Sequence, residues 1–165
     1  MTGPAARPGP QPDLADALAE IGFRRAYGVP DSVLAPFLHR LETRMPVHHL
    51  PREDLAVAAA AGAHLGGEDA IVFMKNAGLG NSLDAFLSLA RASGIPVSTV
   101  MGMSGTAGDT LPHHTAVGER ATALLDASGL GHRSITSDTT PRGLAQWLHR
   151  TRTSAESAVI LVPPP

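Results

Sequence analysis

The regular alternation of short strand patterns with helical patterns is the feature that most constrains how this chain can fold. Apolar runs at 70–74 and 158–162 are typical of strands that are covered on both faces, and residues 96–101 are predicted to form another buried strand. Weaker strand patterns lie in three further places, at 24–27, 47–50 and 133–136. Because helical patterns separate these strands, we predict an α/β fold: a single doubly wound, mostly parallel six-stranded sheet with helices on both faces.

The length of the chain, 165 residues, is that of one domain. Residues 1–12 contain four prolines and two glycines without any periodicity, which predicts a disordered tail. From Asp13, which can cap a first helix, apolar residues recur at helical spacing. The sequence therefore predicts one folded domain over residues 13–165.

Charge and composition exclude several classes of function. A formal net charge of −2 and a pI of about 6.4 give no sign of the basic surface that binds nucleic acid or anionic membranes. No apolar run approaches the roughly 20 residues that span a bilayer. Cysteine is absent, which excludes disulfides and Cys-ligated metals. The first residues contain no apolar segment of a secretory signal, so we expect a cytoplasmic protein.

Four segments that follow predicted strands are rich in glycine or polar residues. They are residues 28–32, 51–53, 75–81 and 102–114. Ligands of parallel α/β sheets bind beyond the carboxyl ends of the strands, where these four segments meet. Their positions alone therefore predict a binding site at this edge of the sheet.

The segment 75–81, Lys-Asn-Ala-Gly-Leu-Gly-Asn, joins a buried strand to a helix. Its glycines permit close approach of the backbone to a ligand, and the helix start favours an anion. The segment matches neither a Walker A motif nor a dinucleotide fingerprint, and an ordinary turn is equally consistent with it. Lys75 favours the ligand site, because it is the only lysine among 13 basic residues.

Glu53 begins a helix in which alanine predominates as far as Gly62. A carboxylate in the first turn of a helix commonly interacts only with the helix dipole. The small side chains behind Glu53, however, leave little bulk with which to fill a core. We therefore expect another chain to pack closely against the alanine face formed by Ala56, Ala59, Ala60 and Ala63.

Two adjacent histidines, His113 and His114, lie in the long segment 102–114. Adjacent side chains diverge, and no Asp, Glu or His stands four residues further on, so the pair is a poor metal site. We predict no metal site in this chain. Imidazoles that face an anionic substrate are the interpretation that we prefer.

Together these segments resemble the pyrimidine-binding (PYR) domain of thiamine-diphosphate enzymes, and within that group the phosphonopyruvate and sulfopyruvate decarboxylases. The segment 28–32, Gly-Val-Pro-Asp-Ser, stands where that family has its first-strand loop. Glu53, Ala56 and Gly62 match the spacing of its Glu-x2-Ala-x5-Gly helix start. The resemblance covers residues 13–162 and implies the PYR-domain fold.

The two remaining segments strengthen this resemblance. Residues 76–81, Asn-Ala-Gly-Leu-Gly-Asn, are similar to the family's Asn-Ser-Gly-Leu-Gly-Asn segment, which is quite specific. Residues 102–114, followed by Gly118, resemble its long loop after the fourth strand. The sequence also departs from the family, with Lys75 in place of a glutamine, Ser104 in place of an arginine and His113 in place of a glutamine.

The resemblance implies that Glu53 activates thiamine diphosphate. The family's glutamate hydrogen-bonds N1′ of the aminopyrimidine and favours the imino tautomer, which then removes the thiazolium C2 proton. The resemblance assigns cofactor contacts to Glu53 and to five residues of the glycine-rich segment: Asn76, Gly78, Leu79, Gly80 and Asn81. It assigns substrate contacts to Asp31, Ser32, Lys75, His113 and His114.

A complete enzyme of this group also needs a pyrophosphate (PP) domain, whose Gly-Asp-Gly…Asn motif holds Mg2+ and the diphosphate. No Gly-Asp-Gly occurs in this chain. The resemblance therefore implies the alpha subunit of a split 2-oxo acid decarboxylase, which forms a heterotetramer or larger assembly with a beta subunit that carries the PP domain. Its substrate would be a 3-substituted pyruvate of the phosphonopyruvate or sulfopyruvate type, and its products an aldehyde and CO2.

Two other functions remain open. A carboligase would use the same cofactor to join two carbonyl compounds. A non-catalytic α/β binding module would have the fold alone, but a degenerate copy has no reason to keep Glu53.

Overall fold

The computed structural model of the chain describes residues 10–106, 109 and 111–164. Its strands are β1 (Arg25–Gly28), β2 (Val47–His49), β3 (Ala70–Lys75), β4 (Ser98–Gly102), β5 (Gly131–Ser134) and β6 (Ala158–Val162). Its helices are α1 (Pro10–Glu20), α2 (Ala35–Leu41), α3 (Glu53–Leu65), α4 (Gly78–Asp84), α5 (Pro112–Ala127) and α6 (Pro141–Thr153). A 3₁₀ turn (Ser32–Leu34) precedes α2, and α4 continues as a π-helix (Ala85–Ala90) and a 3₁₀ turn (Arg91–Ser93).

The six strands form one sheet in the order β2-β1-β3-β4-β6-β5, and each neighbouring pair is parallel. This confirms the predicted fold class, and the sheet is wholly parallel where a mostly parallel one was expected. The chain moves outward from β1 to β2 and then returns to place β3 on the other side of β1. Such a reversal opens a crevice at the carboxyl ends of the strands, between β1 and β3.

Alternate side chains of the strands enter two separate cores. Ile71 and Phe73 of β3 pack on the face that α1, α2 and α6 cover. Val72 and Met74 pack on the opposite face, against α3, α4, the π-helix and α5. This period of two follows from the pleat of a strand, and it confirms that helices cover both faces. The longest of the described helices is α5, with 16 residues, and none of them is long and apolar enough to cross a membrane.

Three helices begin earlier than the sequence predicts, since its helical patterns begin after Asp13, at Leu83 and at Ala121. Helix α1 begins at Pro10, three residues before the expected cap Asp13, so residues 10–12 are helical; the rest of the predicted tail, 1–9, lies outside the described residues. Helix α4 begins at Gly78, and α5 begins at Pro112. Proline fixes a helical φ and needs no hydrogen-bond acceptor in the first turn, which explains the starts of α1 and α5.

These earlier starts move residues of the candidate site from loops into helices. His113 and His114 lie in the first turn of α5 rather than in the loop after β4. Gly78 to Asn81 likewise form the first turn of α4 rather than a tight loop. Helix backbones, rather than loops, therefore position these side chains at the site.

The expectation for the alanine face of α3 is wrong in part. Ala56 and Ala60 are buried in the core between α3 and the sheet. Ala63 is half-buried and packs against the same core, so this face is occupied by the chain itself. Small side chains here let α3 lie close to the chain's own sheet. The outward side of α3 instead exposes Leu55, Gly62 and Leu65.

Candidate active site at the carboxyl edge of the sheet

The segments after β1, β3 and β4 meet at one edge of the sheet, as predicted. Lys75, the last residue of β3, pairs in register with Gly102, the last residue of β4. A Cβ on Gly102 would lie 2.0 Å from Asp31 Oδ2, so the Asp31 carboxylate lies directly over this glycine. Asp31 therefore projects from the end of β1 across β3, at the crevice where the strand order reverses.

Glu53 enters this edge from the first turn of α3 and packs against the start of α4. A Cβ on Gly78 would lie 2.3 Å from Glu53 Cγ and 2.6 Å from Oε1, so only glycine leaves room for this carboxylate. Asn81, one turn further along α4, donates from Nδ2 to Glu53 Oε2 at 3.3 Å. Two residues of the glycine-rich segment thus position a half-buried glutamate.

Asn76 joins two of the converging loops. Its Nδ2 donates to the carbonyl of Ser104 at 2.7 Å, and its Oδ1 accepts from the Ser104 N–H at 3.3 Å. The side chain is only 2% exposed, and Leu79 beside it is equally buried. In this structure Asn76 fixes the loop after β4 against the end of β3, and its assignment to the cofactor stays a prediction.

Asp31 is a buried acid with an unsatisfied oxygen. It is 9% exposed, and its Oδ2 has no hydrogen-bond partner among the described residues. Burial raises the pKa of this carboxyl, an effect that the positive charge of Lys75 partly offsets. A buried carboxyl without a full set of partners is costly, and such groups are concentrated at functional sites.

A chain of three polar side chains crosses the site from β3 to the loop after β4. Lys75 Nζ lies 2.7 Å from His114 Nε2, and His114 Nδ1 lies 2.7 Å from Asp109 Oδ2. Asp109 also accepts the N–H groups of Gly105 at 2.9 Å and Leu111 at 3.2 Å. These backbone donors lower the pKa of Asp109 to about 2. The sequence analysis identified Lys75 and His114 but missed Asp109.

Three further predicted site residues lie at the surface. Ser32 and Gly80 are exposed, and so is His113, whose ring packs edge-on against His114 at 4.3 Å. The expected substrate contacts of Ser32 and His113 stay predictions. Among the described residues, no group of three or more His, Asp or Glu side chains is placed to hold a metal ion.

Comparison with known proteins identifies the family and the fold of the chain. The family model "Thiamine pyrophosphate enzyme, N-terminal TPP binding domain" matches residues 12–126, which include every candidate site residue named above. The fold resembles a solved structure of 2-oxoglutarate:ferredoxin oxidoreductase from Magnetococcus marinus, with a TM-score of 0.71 over 94% of this chain and 29% of that one. At 15% sequence identity, that likeness concerns the fold alone.

Two relatives of known name are closer in sequence. Sulfopyruvate decarboxylase subunit alpha from Methanothermobacter thermautotrophicus is 32% identical over 66% of this chain and 67% of its own length. Phosphonopyruvate decarboxylase from Streptomyces viridochromogenes is 33% identical over 78% of this chain but only 33% of its own length. The family match spans more than half of the chain, and the relatives are similar to it in sequence. The chain therefore belongs to the thiamine pyrophosphate enzymes, as their N-terminal TPP binding domain.

Proposed function

We propose that this chain is the alpha subunit of a thiamine-diphosphate-dependent decarboxylase that converts a 3-substituted pyruvate to an aldehyde and CO2. The observation that carries the proposal is the placement of Glu53 against Gly78, on the same edge of the sheet as Lys75 and His114. One group can activate a cofactor and the others can bind an anionic substrate. Membership of the family supplies the cofactor class.

The residues of the chain fit the pyrimidine half of thiamine diphosphate. Glu53 presents a half-buried carboxylate in a space that a Cβ on Gly78 would fill, and Asn81 orients one of its oxygens. When bound, the cofactor supplies the thiazolium that accepts the electron pair released as the carboxylate leaves as CO2.

The proposed role of Glu53 is to share a proton with N1′ of the aminopyrimidine. A partner subunit that closes over the site would exclude water from the carboxylate. A proton held on a glutamate oxygen can then be donated to a weakly basic ring nitrogen and returned from it. Asn81, which donates to Oε2, keeps the carboxyl in one orientation for this exchange.

The proposed substrate carries an anionic group on C3, as in phosphonopyruvate or sulfopyruvate. Lys75 provides a cation from the fixed end of a buried strand, and His114 lies within hydrogen-bond distance of it. The position where the family has an arginine is occupied by Ser104, which is 3% exposed, so a positive charge must come from elsewhere. The names of the relatives, sulfopyruvate and phosphonopyruvate decarboxylase, agree with such a substrate.

We further propose that a beta subunit carrying a PP domain completes the enzyme and holds Mg2+ and the diphosphate, in a heterotetramer or larger assembly. The relative from Methanothermobacter is itself named as a subunit. The exposed large apolar side chains of the described residues support an assembly surface, because all of them lie on or beside α3, the π-helix and α5. We call this set the apolar outer surface; it comprises Leu55, Leu65, Leu87, Leu89, Leu111, Val117 and Leu124.

Reconstitution tests the proposal. The chain is combined with a partner that contains Gly-Asp-Gly and an asparagine some 25–30 residues further on, together with thiamine diphosphate, Mg2+ and a series of 2-oxo acids. We expect aldehyde and CO2 from a 3-phosphono or 3-sulfo pyruvate only when both chains are present. Acyloin products would indicate a carboligase, and absence of turnover together with absence of cofactor binding would indicate a binding module. Robust decarboxylation by the isolated chain would contradict the split-enzyme proposal.

A further inference from the structure

The three-residue chain Lys75–His114–Asp109 joins segments that are distant in sequence, and backbone contacts hold one of its ends in place. Gly105, between β4 and Asp109, has a φ of +73°, which favours glycine. A Cβ on Gly118 of α5 would lie 2.2 Å from the Gly105 carbonyl oxygen, so the loop lies directly on the helix. This close contact places Asp109 beside the first turn of α5, where His114 lies. The position of Asp109 is therefore fixed by backbone packing.

The protonation states of Lys75, His114 and Asp109 follow from which of their atoms can donate or accept a hydrogen bond. Asp109 is ionised at neutral pH, since its pKa is about 2, and a carboxylate can only accept hydrogen bonds. His114 must then carry a hydrogen on Nδ1. A lysine ammonium has only donors, so a hydrogen bond from Lys75 requires a lone pair on His114 Nε2. With Lys75 as an ammonium, one arrangement satisfies both contacts: ammonium, neutral Nδ1–H imidazole and carboxylate.

We propose that Asp109 is a positioning residue which, by fixing the tautomer of His114, orients the Lys75 ammonium in the substrate site. One N–H of Lys75 is directed to His114 Nε2, and the remaining two are free to turn toward the site. The Asp31 carboxylate attracts the same ammonium from the end of β1. Asp109 would thereby determine specificity for the anionic substituent without touching the substrate, and this role rests on the proposed function.

Loss of the Asp109 carboxylate should change the tautomer of His114. In Asp109→Asn an amide nitrogen that takes the place of Oδ2 breaks the bond from the Gly105 N–H, donates to Nδ1 and so favours the Nε2–H tautomer of His114. Nε2–H and the Lys75 ammonium would then be two donors facing each other, and the lysine would turn away. The exposed His113, whose ring contacts His114, offers no fixed replacement. The same change of tautomer explains why an Asp-to-Asn substitution inactivates a serine-protease triad although its geometry is kept.

Imidazole ¹⁵N NMR of the full chain tests the proposal without cofactor or partner. The spectrum of His114 is identified by its loss in His114→Gln, and ¹⁵N-lysine labelling gives one side-chain signal because Lys75 is the only lysine. We expect the Nδ1–H tautomer of His114 in the wild type and the Nε2–H tautomer in Asp109→Asn. In the variant the Lys75 ammonium protons should exchange with water about tenfold faster, which is the scale of a lost charge-assisted hydrogen bond. Asp138→Asn, at an exposed loop aspartate, is the control.

A second variant covers the case in which Asp109→Asn fails to fold. Asp109→Ser keeps an oxygen that can accept the backbone N–H groups but removes the charge. An Nε2–H tautomer of His114 in the wild type would overturn the proposal. It would also be overturned if both variants kept the wild-type tautomer of His114 and the wild-type exchange rate of the Lys75 ammonium protons. With the reconstituted enzyme, KM for an anionic 2-oxo acid should rise about tenfold more than KM for pyruvate. If the NMR changes occur and no decarboxylation is ever found, the proposed function fails while the link from Asp109 to Lys75 stands.

Discussion

Glu53 and Gly78 are in contact through a space that admits no other residue at position 78: an added Cβ would lie 2.3 Å from Glu53 Cγ. The two residues come from the first turns of α3 and α4, which follow β2 and β3. Gly78 is the first residue of α4, and the room that it leaves for Glu53 ties the glycine-rich segment to the position of the carboxylate.

Gly78→Ala should therefore separate activity from helix propensity. The added methyl group displaces Glu53, and such overpacking typically costs about 1–3 kcal/mol. We expect a loss of activity of at least about tenfold in the reconstituted enzyme, with the fold retained by circular dichroism. Gly62→Ala is the matched control, since its Cβ would meet nothing within 4 Å on the exposed side of α3. It should stabilise the chain by up to about 1 kcal/mol at unchanged activity. Equal activities of the two variants would contradict the role of Gly78.

Asp31→Asn should stabilise the chain at neutral pH while lowering its activity. Because burial raises the pKa of Asp31, the folded state binds this proton more tightly than the unfolded state does. Stability conferred by the protonated carboxyl is present below the unfolded pKa and is lost as the pH rises through the folded pKa. We expect the Tm of the variant to exceed that of the wild type at pH 7, and the difference to shrink on acidification. A lower Tm at pH 7 would contradict this account, and Asp138→Asn serves as the exposed control.

Lys75→Met should discriminate between substrates. If the ammonium binds the anionic substituent, KM for a 3-phosphono or 3-sulfo pyruvate rises by about 10- to 150-fold, which corresponds to a lost charged hydrogen bond of about 1.5–3 kcal/mol. KM for pyruvate should change much less. Equal effects on both substrates would assign Lys75 to the cofactor or to the structure, and no effect on either would make it a solvated lysine.

The structure changes the prediction of which surface of the chain contacts a partner subunit. Ala60 is 4% exposed and belongs to the chain's own core, so Ala60→Leu should destabilise the fold by about 1–3 kcal/mol rather than weaken assembly alone. Leu124→Glu, on the apolar outer surface, should leave the Tm of the isolated chain nearly unchanged but prevent formation of the complex in sedimentation experiments. Glu119→Gln, an exposed change on the same helix, is the control. Normal assembly of Leu124→Glu would show that this surface is not the interface.

The sheet and the elements that bring the site together could be predicted from the sequence. Strand β6 and helix α3 occupy the predicted residues, because an apolar run and an alanine-rich helical stretch are strong local signals. Thr140, followed by Pro141, caps α6 and accepts the N–H of Gly143, which fits the usual pattern of a helix start. The carboxyl-edge position of Asp31, Glu53 and Lys75 followed from the alternation of strands and helices alone.

The features that could not be predicted from the sequence depend on the folded course of the backbone. Asp109 carries no local signal, because its partners are Gly105 and Leu111 backbone groups and a histidine across a helix start. Proline at position 112 was a usable signal for an earlier start of α5, and it would have put His114 in a first turn. The alanine face of α3 was assigned to another chain because composition alone cannot tell close packing on a sheet from close packing on a partner.

The central claim is that Glu53 activates the cofactor, and exchange of the cofactor's C2 proton with solvent deuterium tests it most directly. The measurement uses thiamine diphosphate bound to the reconstituted enzyme, with wild-type chain and with Glu53→Gln, which keeps the shape of the side chain but cannot share a proton with N1′. We predict that the exchange rate falls by about 10²–10⁴ in the variant, the usual scale for one acid–base group, while the amount of bound cofactor stays similar. An exchange rate equal to that of the wild type would contradict the account.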